Sequence, residues 1–207
     1  MNTEYFSRRY LTIRRWTSFW HQIDEVLKTK AKSLLEIGVG SGVVAKVLRE
    51  AGVSVTTFDI SPELKPDVVG NILELEHHFS PSSFDCILCA QVLEHLPFES
   101  FKPAIEQIYK TTKSHAVISL PYHRRYWGII ARFYIPLFGA GRINIRIPRL
   151  LKHEEGEHKW EIGKSGYPLK KIESVLRSYF HIERRFYPLE NIYHIFFRLR
   201  KKEGSLK

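Results

Sequence analysis

The sequence predicts an α/β fold: a doubly wound, mostly parallel sheet with helices on both faces. Three observations predict it. Leu34 to Leu48 opens as a short apolar run, turns on Gly38, Gly40 and Gly42, and continues with apolar residues at helical spacing, which reads as a buried strand, a tight loop and a helix. Ser54 to Ile60 is rich in β-branched residues, follows Gly52 as a helix-ending cap, and finishes on an acid, Asp59. Phe84 to Ala90 and His115 to Pro121 are two further apolar strands, separated by a segment with Phe101, Ile105, Ile108 and Tyr109 at helical spacing.

A chain of 207 residues suits one domain, with room for an insertion. Its formal charge of +10 favours an acidic partner: nucleic acid, a phosphorylated metabolite or an anionic membrane surface. The longest apolar-rich run, Trp127 to Phe138, is broken by Arg132 and Pro136 and is too short to span a bilayer, which takes about 20 residues. No apolar signal core follows Met1, so the expected location is the cytoplasm. Cys86 and Cys89 form C-x-x-C inside a predicted strand. Alternation sends side chains three apart to opposite faces, so they read as core thiols. Adjacent His77 and His78 diverge on either a helix or a strand, and no metal centre is expected.

The chemistry begins at the glycine loop. A dinucleotide fingerprint, G-x-G-x-x-G, would need its third glycine at position 43, which is Val43; the chain has G-x-G-x-G instead. Glu36 stands two residues before the first glycine. A carboxylate there would repel a pyrophosphate and attract an ammonium. Asp59, at a strand end facing the ligand crevice of a doubly wound sheet, is placed to accept both hydroxyls of a ribose.

This acidic-x-Gly-x-Gly-x-Gly pattern resembles motif I of the class I S-adenosylmethionine-dependent methyltransferases. The resemblance implies S-adenosyl-L-methionine as cofactor, held by Glu36, Gly38, Gly40, Gly42, Asp59 and Ile60, with Asn71 on the adenine amino group and Ile72 over the ring. It extends to Phe84-Asp85 and Val92-Leu93-Glu94-His95-Leu96, similar to the phrase after the fourth strand in the broad small-molecule group. Backbone at Cys89 and Ala90, with Gln91, would then meet the methionine end. It further implies a seven-stranded sheet whose last strand, from the closing hairpin of residues 181–199, runs antiparallel to the others. A quinone-ring subgroup of the family holds a divalent metal on carboxylates here, and this chain lacks that adjacent acidic cluster.

Substrate-side candidates follow from position. Tyr122 and His123 come directly after the fifth strand. His158 and Trp160 lie in His-x-Trp-Glu-Ile-Gly, a phrase similar to uncharacterised methyltransferases of this group whose loop reaches back toward the substrate. Imidazole works as a base near pH 7, so His95, His123 and His158 are the catalytic candidates, with Tyr122 and Trp160 as pocket walls.

The expected organisation is an N-terminal helical cap over 1–31 and a methyltransferase domain over 32–207 with a lid-like insertion at 122–157. The insertion is aromatic, apolar and basic at once. That suits a small-molecule or lipid-linked anionic acceptor, or peripheral contact with a membrane. An RNA methyltransferase, which would use the same residues for stacking and phosphate contact, stays open, as does a catalytically silent cofactor-binding scaffold.

Overall fold

The computed structural model describes residues 5, 7–123, 126–135, 139–148 and 158–204. A seven-stranded sheet runs in the order β3-β2-β1-β4-β5-β9-β8. Its strands are β1 (Ser33–Ile37), β2 (Ser54–Asp59), β3 (Val68–Val69), β4 (Phe84–Ala90), β5 (Thr112–Pro121), β8 (Phe180–Phe186) and β9 (His194–Lys201). Pairings from β3 through β5 are parallel, and β9 runs antiparallel between β5 and β8. The helices are α1 (Ile13–Lys28), α2 (Val43–Glu50), α3 (Leu75–His78), α4 (Phe101–Thr111) and α5 (Leu169–Tyr179). Between β5 and α5 the chain makes a separate antiparallel hairpin of β6 (Tyr126–Ile135) and β7 (Gly139–Pro148). The rest of the proposed lid, 124–125, 136–138 and 149–157, lies outside the described residues, as do 1–4 and 6 of the proposed cap.

The central strands are buried on both faces, and their alternation splits the core in two. Leu35, Ile87, Cys89, Ala116 and Ile118 join the core under α4 and α5. Leu34, Cys86, Leu88 and Val117 join the core under α1 and α2. The two cysteines thus sit on opposite faces, both buried as free thiols, and burial drives both far above the ordinary thiol range.

Between β2 and β4 there is no full helix before α3. Pro62–Leu64 forms one 3-10 turn, and Ile72–Glu74, capped by Asn71, forms another. Asp85 ties β4 to the entry of β1, accepting from the backbone N–H of Lys32 and Ser33 at 3.0 Å each.

α1 is docked by ion pairing as well as packing. Phe19 and Val26 enter the core, and the fully buried Glu25 pairs with Arg184 and with Arg198, the latter at 3.0 Å. The other side of the helix stays in solvent: Ile13, Trp16, Trp20 and Leu27 are exposed. The apolar side chains of α1 are therefore divided between core and surface.

Candidate active site

The carboxyl edge of β1, β2 and β4 carries the candidate site. Gly38, Gly40 and Gly42 all take positive φ, and Gly42 caps α2 without a side-chain bond. At Gly38, φ is +86° and a Cβ would stand 2.3 Å from Val92 Cγ2. The glycine loop and the loop leaving β4 are therefore in direct contact, which joins the two halves of the site. Asp59 fixes the loop: its Oδ2 accepts from Val39 N–H and its Oδ1 from Ser61 N–H, each at 2.9 Å. A carboxylate has further lone pairs, so both bonds are compatible with accepting ligand hydroxyls. Ile60 beside it is 71% exposed, an apolar side chain left open at the strand end.

Glu36 is buried at the end of β1, and its Oε2 has no hydrogen-bond partner. Burial pushes its carboxyl up to about 8, against weaker opposing pulls from Arg49 and the Ala45 N–H. An orphaned buried acid beside a glycine loop fits a cationic ligand group. Asn71 uses its Oδ1 to accept from Leu73 N–H at 3.0 Å, which leaves its amide N–H groups for other acceptors, and Ile72 is buried in the core beneath it. Cys89 is wholly buried, with Ala90 half-buried after it. Gln91 holds the left-handed backbone (φ 57°) and donates its N–H to Ser119 C=O at 3.0 Å. With the amide assigned in the orientation that its neighbours satisfy, its nitrogen donates to Glu94 Oε1 at 3.3 Å and His194 Nε2 at 3.2 Å, while its oxygen accepts from Ser119 Oγ and Leu120 N–H. His194 in turn meets Ser18 Oγ of α1 through Nδ1 at 3.0 Å, and burial pulls its imidazole down to about 3, so it stays neutral. A chain of contacts thus runs from α1 to the loop after β4.

On the acceptor side, Glu94 is fully buried with Oε2 unpartnered, and burial pushes it up to about 7. His158 brings Nε2 to 4.0 Å from Glu94 Oε1 and Nδ1 to 3.2 Å from Glu161 Oε1. Burial alone would raise Glu161, but hydrogen bonds from His158, Tyr193 and Lys164 outweigh it and hold the carboxyl near 2. The same bond to Glu161 raises His158 above the ordinary imidazole value. The His95 ring packs on His158 edge-on at 5.0 Å. Glu94, His95 and His158 each offer a ligand atom, all within 4.8 Å of one another, which is also a donor set for a divalent cation.

Of the three histidines singled out in sequence, the structure joins His95 and His158 directly, and His123 touches the group from the far side, with Nδ1 3.7 Å from Glu161 Oε2. Tyr122 stacks on Tyr187 at 5.2 Å between ring centroids. Trp160 requires a correction. It is 1% exposed, packs against Phe98, Phe101 and Tyr167, and donates Nε1–H to Leu96 C=O at 3.1 Å. It anchors the loop from inside the core and does not form a pocket wall. Glu161 and Tyr193 were missed. Glu161 falls within the singled-out phrase, three residues after His158, and that spacing was the available signal; nothing local marks Tyr193.

Such a sheet, with a glycine loop after β1 and an acid after β2, defines a class I methyltransferase architecture. The chain belongs to the methyltransferase-domain family Methyltransf_23, whose model matches residues 6–179. Among curated relatives, it is 29% identical over 89 residues to a ubiquinone biosynthesis O-methyltransferase of Paracidovorax citrulli, covering 36% of this chain and 37% of that protein. The match thus spans little more than a third of the relative's length. Solved structures share the fold. The N-methyltransferase NodS of Bradyrhizobium japonicum, in complex with S-adenosylhomocysteine, is 14% identical with a TM-score of 0.60, covering 93% of this chain and 90% of that one. The magnesium protoporphyrin IX methyltransferase of Synechocystis, with bound S-adenosylmethionine, is 14% identical with a TM-score of 0.58, covering 97% and 89%. No helix among the described residues is long and apolar enough to cross a membrane.

Proposed function

We propose that the chain binds S-adenosyl-L-methionine at the carboxyl edge of β1, β2 and β4 and methylates a hydroxyl or amine of a small anionic or amphiphilic acceptor. The observation that carries this reading is the orphaned Oε2 of Glu36 beside a glycine loop that touches the loop bearing Glu94. Family membership supports the reaction class, and the likeness to ubiquinone O-methyltransferases supports a small acceptor.

When bound, the sulfonium supplies an activated methyl group and a neutral leaving group. The chain's own residues then hold and orient. Glu36 would receive the methionine ammonium, Asp59 the ribose hydroxyls, and Asn71, Ile72 and Ile60 the adenine. Gln91, braced by His194 and Ser119, fixes the loop between cofactor and acceptor. Alignment of this kind can contribute about 7–11 kcal/mol. His158 is the best-placed base: Glu161 behind Nδ1 holds the ring and stabilises its cation, leaving Nε2 to take the acceptor's proton. The reading places the enzyme in the cytoplasm.

The test is calorimetry of ligand-stripped protein with S-adenosylmethionine, followed by mass-spectrometric detection of S-adenosylhomocysteine when acceptor classes are added. Absence of binding heat removes the cofactor and the class together; binding without any turnover favours a silent scaffold. The net charge of +10 also keeps an RNA acceptor in view, and RNA affinity that falls steeply with salt would favour it.

A further inference from the structure

The helix that braces the site from one side turns an unpartnered apolar edge to solvent on the other. Ser18, Phe19, Gln22, Glu25 and Val26 of α1 face inward. Ile13, Trp16, Trp20 and Leu27 recur at steps of three, four and seven residues, which places them on one opposite stripe roughly 20 Å long at 1.5 Å per residue. They are 82, 50, 58 and 43% exposed. The leading end of the stripe carries positive charge. Arg8, Arg9 and Arg14 are exposed at its leading end, the first turn of α1 has no acid, Asp24 is already paired with Lys28, and Glu25 is buried.

We propose that α1 seats this protein on an anionic lipid surface, with Ile13, Trp16, Trp20 and Leu27 entering the interfacial layer and Arg8, Arg9 and Arg14 meeting lipid phosphates. Tryptophan favours that layer because its ring is apolar while its N–H stays wet. An apolar stripe edged by arginines on a chain of net charge +10 complements a negative bilayer in both respects. The inward face of the same helix supplies Ser18 to His194 at 3.0 Å, so docking would present the catalytic edge from a fixed distance above the lipid. An acceptor dissolved in the bilayer could then be reached without leaving it.

The experiment is flotation of the full chain with vesicles of phosphatidylcholine containing about a third phosphatidylglycerol, against phosphatidylcholine alone. The charged vesicles should carry the protein at low salt and release it as salt rises. The double substitution Trp16→Ser and Trp20→Ser should cut partitioning by about tenfold or more. Binding of S-adenosylmethionine, measured on both proteins by calorimetry, should be equal; this confirms that the variant is folded and separates the docking face from the cofactor site. No flotation at low salt overturns the proposal. So does flotation that the two substitutions leave unchanged, or a concentration-dependent dimer in lipid-free buffer that they abolish, since the stripe would then belong to a second copy.

Discussion

The Nδ1 of His158 lies 3.2 Å from Oε1 of Glu161, three residues further on, while its Nε2 faces Glu94. This arrangement gives the histidine a raised pKa and the glutamate a lowered one, each sustaining the other's charge.

The first prediction concerns that pair. In an NMR titration, His158 should lose its proton above the ordinary imidazole range, and Glu161→Gln should move the curve back down. His158→Ala should cut turnover on an established acceptor by about a hundredfold, the common size of a general-base contribution. Added Mg²⁺ should leave the His158 curve in place. A downward displacement on adding the ion would instead assign a metal to Glu94, His95 and His158, because a bound cation favours the deprotonated forms.

Glu36 is expected to link cofactor binding to pH. Its pKa in the folded chain, about 8, stands above the ordinary 4.5, so between these values the folded chain keeps a proton that the unfolded chain gives up. Its contribution to stability therefore falls as pH rises from about 4.5 toward about 8. A ligand ammonium beside it would favour the carboxylate, so binding near pH 7 should release a proton. Calorimetry in buffers of different ionisation enthalpy measures this release. Glu36→Gln should abolish it and weaken binding about tenfold or more, since a charged hydrogen bond contributes about 1.5–3 kcal/mol. The same variant should melt higher than the native chain above pH 8.

The contact between Gly38 and Val92 can be tested by a double substitution. Gly38→Ala places a Cβ 2.3 Å from Val92 Cγ2 at a φ of +86°, and should cost about 1–3 kcal/mol in thermal melting. Adding Val92→Ala should recover the steric part and leave the backbone part. Equal melting of the single and double variants would mean that the two loops do not touch.

Trp160 should behave as a core residue. Trp160→Ala is expected to cost about 3–5 kcal/mol, as for other large-to-small aromatic truncations. Trp160→Phe keeps most of the packing, leaves Leu96 C=O without its donor, and should leave cofactor affinity unchanged. A fall in acceptor affinity at constant stability would return Trp160 to the pocket.

The glycine loop, Asp59 and the alternation of Cys86 and Cys89 were legible because each follows from neighbours in the chain: φ freedom at a turn, an acid at a strand end, period two along a strand. The helical cap was legible as a helix, but the division of its apolar residues between core and solvent was not, since helical spacing says which residues share a face and not what that face meets.

The sequence by itself determined the order of the central strands and helices and the glycine turn at the carboxyl edge of the sheet, because backbone sterics and apolar periodicity act over a few residues; it did not show the β6–β7 hairpin. Only the tertiary structure decided that His158 also faces Glu94, which acids lose their solvent, and that Trp160 is buried. Those outcomes depend on pairs such as Glu94 with His158 and Ser18 with His194, which the folded sheet brings within about 4 Å although they stand far apart along the chain.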